Sequence, residues 1–495
     1  MRQTIATTKP TILIIFGATG DLAIRKLLPA VFHLFQKNLL PPKFKIIAWS
    51  RRPFSNADYH KFLKNALKGK KISLRPSRSE ANTVPRPLGA SFESKTFTKF
   101  LRYISYHQGL FDIADSYKKL KKTLVKIDQH EWKECSNKLF HLAVPSDFYE
   151  EILKNISHFG LAISCSDGAG WTRILIEKPF GKDTATAEKL DEFLGKLFRE
   201  EQIFRIDHYL AKEALQNITL FRFSNLLFEP IWNNKYIEKV EIKLFESLDI
   251  QGRGNFYDNI GALRDVGQNH ILRMLALIAM ENPKSPDVKS VWQERTKILH
   301  ALQPMLSADV AKYAMRGQYK GYRREANIQP NSTTETYFKI KTFINNKRWN
   351  GVPFYLESGK AMKEKKSEII VHLKKSISFF CPVDQTCDYQ NIITFKIQPE
   401  EGISVRFWAK KTGLTSHMEA KNLSFSYHSD EKIKQTVDDY ERVLFDCIRG
   451  DQTFFTGTEE VKASWEFITP IIAAWQKIPL YTYKKGSNGP YAADI

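Results

Sequence analysis

The chain has 495 residues, 42% of them apolar and 26% charged, which suits about two to four globular domains and excludes a disordered or fibrous protein. Lys and Arg number 75 against 54 Asp and Glu, a net charge of +21, so the protein's field attracts anions such as nucleic acid, acidic surfaces or phosphorylated small molecules. No stretch approaches the roughly 18 consecutive apolar residues of a membrane helix, and no RNA-binding or zinc-finger signature points to a specific nucleic acid.

The polar run Met1 to Lys9 is too short for a signal peptide. Thr11 to Phe16 (TILIIF) reads as a buried strand, Gly17 to Asp21 as a turn, Leu22 to Asn38 as a helix, and Lys45 to Trp49 (KIIAW) as a second buried strand. This strand–turn–helix–strand order opens a βαβ unit. Lys68 to Glu93, rich in Lys, Arg, Pro and Ser, interrupts it as a basic surface insertion at 68–93. Strands are expected at Leu139 to Val144 and Ile174 to Glu177, and helices at Asp147 to His158 and Thr184 to Arg199. Residues 1–205 therefore read as an α/β, Rossmann-like, doubly wound domain.

Near Arg205 the texture changes. Val240, Ile242 and Leu244 alternate with more polar neighbours, and Thr334 to Ile344, Glu368 to Leu373, Asn391 to Ile397 and Ile403 to Trp408 are strand-like. Helical patterns sit at His270 to Met280, Asp438 to Ile448 and Glu459 to Ile472. Strands follow one another without regular helical crossovers, so residues 206–495 read as an α+β domain with a large, mainly antiparallel sheet. The five cysteines (Cys135, Cys165, Cys381, Cys387 and Cys447) are scattered and odd in number, which argues against a disulfide framework and for a reducing cytoplasm. Cys381 and Cys387 are too far apart for a CxxC pair, and no ligand cluster calls for a metal.

Five motifs carry chemistry. Gly17-Ala18-Thr19-Gly20-Asp21-Leu22-Ala23 joins a buried strand to a helix, the context in which glycines let a backbone approach a pyrophosphate and a helix N-terminus offers it N–H groups. The second strand ends in Trp49-Ser50-Arg51-Arg52, with no acid to hold a ribose 2′-hydroxyl and two guanidiniums suited to a 2′-phosphate. NADP is therefore expected over NAD, although Thr19 and Arg51 do not exclude NAD. Glu177-Lys178-Pro179-Phe180-Gly181 puts a lysine at the C-terminal end of a sheet strand, where open α/β folds bind ligands. Arg205-Ile206-Asp207-His208-Tyr209-Leu210-Ala211-Lys212-Glu213 gathers an acid with three donors suited to a phosphate monoester. Asp265-Val266-Gly267-Gln268-Asn269-His270 leads into an apolar helix, and a histidine at a helix start is kept neutral by the dipole, ready to accept a proton.

GATGDLA, EKPFG, RIDHYLAKE, QNH, GVPF with SGKAM, and FKIQPEEGI together resemble the glucose-6-phosphate dehydrogenase family, in order and approximate spacing, from about Thr11 to Asp494. The resemblance implies oxidation of C1 of glucose 6-phosphate to 6-phosphogluconolactone with NADP, the first step of the oxidative pentose phosphate pathway. It implies His270 as the catalytic base and Asp207 as its partner acid. His208, Tyr209 and Lys212 match positions that hold the 6-phosphate, and Lys178 matches a lysine between substrate and nicotinamide. Glu246, Asp265, Lys360 and Gln398 match sugar or phosphate contacts, and Lys365 matches a basic phosphate-binding position. Gly17, Thr19, Gly20, Asp21, Leu22 and Arg51 match the coenzyme site. The resemblance also implies a cytoplasmic homodimer or homotetramer joined through the C-terminal sheet, and, since the chain ends at Ile495, no second, structural NADP. Two alternatives stand beside it: a dehydrogenase for another hexose phosphate, and a catalytically weak NADP-binding paralogue. Ala211, Ala48 and Ser146 depart from the family pattern, and Ala211 would be strained if its backbone required positive φ.

Overall fold

A computed structural model of the chain describes residues 9–67, 95–163, 170–375, 389–414, 417–427 and 437–491. The basic insertion at 68–93 and Cys165, Cys381 and Cys387 lie outside them. The chain divides into two compact units, one of Met1–Gly181, Ala185–Ala211 and Val437–Thr458, the other of Lys182–Thr184, Lys212–Thr436 and Glu459–Ile495. The division is thus not a single cut near Arg205, because a late segment returns to the first unit. Among the described residues no helix is long and apolar enough to cross a membrane.

The first unit is built on a six-stranded sheet of β1 (Thr11–Phe16), β2 (Phe44–Ser50), β3 (Ile104–Gln108), β4 (Asn137–Leu142), β5 (Thr172–Glu177) and β6 (Ile203–Ile206). Its order is β3-β2-β1-β4-β5-β6 and every pairing is parallel. Every residue of β1 is buried, because a central parallel strand is covered on both faces. That explains why TILIIF is a continuous apolar run rather than an alternating one. Phe16 pairs with both Trp49 and Leu142, so β1, β2 and β4 end level. The chain order reverses between β1 and β4, which makes their C-terminal ends the switch point where such sheets bind ligands. The helix after β1 enters at Asp21, is π-wound over Ala23–Leu27, continues over Leu28–Gln36, and buries Leu27, Leu28, Val31, Phe32 and Leu34. It stops at Asn38, whose left-handed φ of 56° lets Leu39 N–H reach Leu34 C=O.

The second unit holds a nine-stranded sheet of β7 (Ile237–Phe245), β8 (Ala314–Tyr319), β9 (Tyr337–Thr342), β10 (Phe354–Gly359), β11 (Lys366–Leu373), β12 (Ile392–Gln398), β13 (Gly402–Lys410), β14 (Met418–Ser426) and β15 (Leu480–Tyr483). The order is β14-β13-β12-β11-β7-β10-β9-β8-β15, antiparallel except at β7–β10 and β8–β15. The alternation of Val240, Ile242 and Leu244 is that of a strand with one buried face: all three are at most 2% exposed. A fully buried helix, Leu272–Ala279, continues from a π-wound segment, Leu263–Ile271.

Two expectations need correction. The helix expected to start at His270 is already under way at Gly261 and Ala262 and is π-wound over Leu263–Ile271, so His270 lies near the end of the π-wound segment and not at a helix N-terminus. The dipole argument for its neutrality therefore falls, because that effect fades within the first turn. Cys135 is disulfide-bonded, where the scattered cysteines argue against a disulfide framework and for a reducing cytoplasm; a fold can bring such cysteines together, and spacing does not reveal it. Cys447 is free and buried.

Candidate active site

In the first unit the C-terminal ends of the strands gather the coenzyme residues. Gly17 and Ala18 both donate N–H bonds to Trp49 C=O, at 3.0 and 2.9 Å, which ties the turn after β1 to the end of β2. Gly17 has φ +82°, and a Cβ there would stand 2.4 Å from Ala143 C=O. Only glycine fits, and the constraint comes from β4's extension rather than from a ligand. Gly20 N–H closes the turn on Gly17 C=O, while Tyr59 OH donates to Ala18 C=O at 2.9 Å. Thr19 Oγ1 and Ser50 Oγ share a hydrogen bond of 2.8 Å, and Asp21 pairs with Arg25. A glycine turn opening a helix at the switch point suits a pyrophosphate. At the end of β2 the two arginines differ. Arg51 is exposed, whereas the Arg52 guanidinium lies 5.4 Å from the Phe62 ring and 6.0 Å from that of Phe54. Packing thus occupies Arg52 and leaves Arg51 to face solvent beside Ser50.

The neighbouring strands supply the next group. Lys178 follows β5 and precedes a cis peptide to Pro179. The backbone before it is held firmly: Tyr149 OH donates to Glu177 C=O and Tyr440 OH to the Glu177 carboxylate, both at 3.1 Å. Asp207 follows β6, the strand paired with β5. Its Oδ1 accepts Tyr209 N–H and its C=O accepts Leu210 N–H, each at 3.0 Å, so the acid folds its own loop and fixes where His208 and Tyr209 point. Asp207 and Tyr209 are buried and His208 is half-buried. Ala211 is absent from the residues of positive φ, so the strain foreseen for it does not arise.

The second unit gathers its site residues by register. β7 and β10 run parallel and end level at Phe245 and Gly359, while antiparallel β11 starts beside them at Lys366 and β12 ends opposite Ser367 at Gln398. Glu246, Lys360, Lys365 and Gln398 therefore share one end of the sheet. Lys360 Nζ, 3% exposed, lies 2.8 Å from the Glu246 carboxylate and 3.6 Å from that of Asp265. It also stands 5.1 Å over the Tyr257 ring. Burial, then the Asp265 and Glu335 carboxylates, push the Tyr257 phenol well above its ordinary value, so it stays neutral beneath the ammonium. Two carboxylates and a phenol ring thus hold a buried cation in place. Lys212, also buried, precedes the helix Glu213–Phe223 and accepts its first N–H bonds through its own C=O. His270 is 2% exposed and donates its N–H to Asn269 Oδ1, while Asn269 Nδ2 donates to Asp265 C=O at 3.0 Å.

The sequence reading missed the supports of Lys360. Tyr257 lies under its ammonium, and Tyr483 OH donates to Lys360 C=O at 2.7 Å from 123 residues along the chain. No local signal reveals either one, because tyrosines in apolar company read as core.

Known proteins resemble this chain over nearly its whole length. The family description "Glucose-6-phosphate dehydrogenase, NAD binding domain" matches residues 14–217, and "Glucose-6-phosphate dehydrogenase, C-terminal domain" matches residues 219–495. The chain is 38% identical to glucose-6-phosphate 1-dehydrogenase of Chlamydia muridarum, over 100% of this chain and 96% of that protein. It is 35% identical to that of Bacillus subtilis, over 98% and 96%. A solved glucose-6-phosphate dehydrogenase in complex with glucose 6-phosphate superposes with a TM-score of 0.86 at 32% identity, covering 98% of this chain and 97% of that one.

Proposed function

The chain belongs to the glucose-6-phosphate dehydrogenase family, and from that premise we propose that it oxidises glucose 6-phosphate at C1 to 6-phosphogluconolactone with NADP. The observation that carries the reading is the full-length match of both halves to relatives of that name. It would place the enzyme at the entry to the oxidative pentose phosphate pathway.

The residues act as follows. His208, Tyr209 and Lys212 donate to the 6-phosphate and anchor the sugar away from its reacting carbon, so that remote binding positions C1. Lys360, held by Glu246 and Asp265, orients the sugar, with Lys365 and Gln398 beside it at the sheet's end. His270 removes the proton of the C1 hydroxyl. Asp207 stabilises the imidazolium that results, as an acid does for a catalytic histidine. A bound NADP would supply the acceptor for the hydride that leaves C1. Lys178 would lie between substrate and coenzyme, as the matching family position does. Gly17, Thr19, Gly20, Asp21 and Leu22 form the pyrophosphate turn, and Arg51 faces the 2′-phosphate.

A homodimer or homotetramer through the C-terminal sheet and a cytoplasmic location complete the proposal. A relative from Arabidopsis thaliana, 36% identical over 97% of this chain, is named cytoplasmic.

The test is nicotinamide reduction by purified protein, with NADP and NAD in parallel and glucose 6-phosphate, glucose and other hexose phosphates as substrates. Reduction that requires glucose 6-phosphate and prefers NADP is expected. A higher kcat/KM for another hexose phosphate would reassign the substrate, and no turnover from folded, NADP-binding protein would leave the binding paralogue.

A further inference from the structure

We infer that Glu335, a buried carboxyl just before β9, is a positioning residue: it caps and fixes the helix that carries Asp265 and His270. The inference rests on the assignment of His270 as base.

That helix enters through Gly261 and Ala262, is π-wound from Leu263, and Ala262 gives it no side-chain cap. The first N–H groups of a helix have no partner inside it. Here both N–H groups at the entry end on one residue 72 or more positions further along the chain: Ala262 N–H donates to Glu335 C=O, and Leu263 N–H to Glu335 Oε1, each at 3.0 Å. The chain turns into the helix at Gly261, with φ +75°, and a Cβ there would stand 2.3 Å from Glu335 Oε1. The carboxylate therefore fills the space that glycine leaves, and glycine is required for the carboxylate to reach Leu263.

Glu335 is itself held by the sheet. The next residue, Thr336, donates its N–H to Gly317 C=O at 2.8 Å, and its Oγ1 accepts Tyr319 N–H at 3.0 Å and meets Tyr483 OH at 2.8 Å. The cap thus transmits the sheet's position to Leu263, two residues before Asp265 and seven before His270. The π-wound segment carries His270 at a set rotation from that start, so where the start is anchored decides where His270 points. The helix-start bond needs an acceptor oxygen and no charge, and burial pushes the Glu335 carboxyl up from its ordinary value. A glutamine can therefore serve in its place.

The experiment compares Glu335→Gln, Glu335→Asp and Glu335→Ala with the parent and with His270→Asn, reading kcat, both KM values, NADP affinity and thermal unfolding. Glu335→Ala and Glu335→Asp, which remove or withdraw the acceptor, are expected to lose about 10- to 100-fold in kcat, the scale of a small misplacement of reacting groups. NADP affinity should be unchanged, and Glu335→Gln should keep kcat within about threefold of the parent. A folded Glu335→Ala with parental kcat, or a Glu335→Gln as impaired as Glu335→Ala, would overturn the inference. If Glu335→Ala does not fold, Glu335→Asp decides by the same comparison with Glu335→Gln. Near-normal turnover in His270→Asn would instead remove the base assignment, and this inference with it; an inactive His270→Asn beside a fully active Glu335→Ala would remove this inference alone.

Discussion

At the scale of single residues, the site sorts its charged groups by how they are held. Arg51 and Arg52 are equivalent in sequence, yet Arg52 lies against Phe54 and Phe62 while Arg51 is exposed. Arg51→Ala is therefore expected to weaken NADP by about 1.5–3 kcal/mol, the worth of a hydrogen bond to a charged group, with little loss for NAD. Titrating both coenzymes against both proteins checks this, and equal losses would reject the 2′-phosphate role. His270→Asn should lower kcat by about 10²–10⁴-fold, the usual contribution of a general base, with substrate affinity largely kept. Steady-state kinetics with direct substrate binding separates the two effects. Replacing Lys360 by Met leaves Glu246 and Asp265 facing each other without their shared cation. That variant should lose glucose 6-phosphate affinity more than NADP affinity, which calorimetry with each ligand would read.

At the scale of elements, the helix Asp439–Arg449 shows how a late segment is fastened to an early fold. Glu441, nearly fully buried, pairs with His33 Nδ1 at 2.7 Å and Lys37 Nζ at 2.5 Å. Arg173 donates to Cys447 C=O and Ile448 C=O, and Tyr440 reaches Glu177, the residue before Lys178. Burial alone would raise the Glu441 carboxyl, but the hydrogen bonds from His33 and Lys37 outweigh it and hold the carboxyl below its ordinary range. A depressed carboxyl contributes stability that is full above its unfolded value of about 4.3 and is lost as pH falls through the lower folded value. Glu441→Gln should thus cost about 1.5–3 kcal/mol near neutral pH. The gap to the parent should narrow in thermal melts taken progressively below that unfolded value; a constant gap would show that the charge is not the source.

For the whole molecule, charge and exposed apolar surface are the relevant quantities. With 75 basic against 54 acidic residues, the protein attracts both proposed ligands through a field that salt screens. The KM for glucose 6-phosphate should rise with potassium chloride, while any residual oxidation of uncharged glucose should not change in parallel. Strand β14 ends the large sheet and leaves Leu423 65% and Phe425 52% exposed. Under the proposed assembly through this sheet, Leu423→Asp with Phe425→Asp should shift the sedimentation profile toward monomer at matched concentration. An unchanged profile would place the subunit contact elsewhere.

Much of this protein was legible in residue order alone, and for local reasons. A continuous apolar run marks a strand covered on both faces, so TILIIF and KIIAW were readable as β1 and β2, and the motifs of the family are contiguous strings. The structure decided what depends on residues far apart in the chain. The short strands β3, β6 and β15 have no clear period, and pairing with neighbours defines them. The start of the His270 helix is set by Glu335 and Gly261, so the apolar pattern alone placed it late. The return of Val437–Thr458 to the first unit depends on ion pairs across 404 and 408 positions. Residue order determined the types of chemistry available, because composition and short motifs are local; tertiary structure decided which charges are buried, paired and aimed, because those energies depend on distance in space.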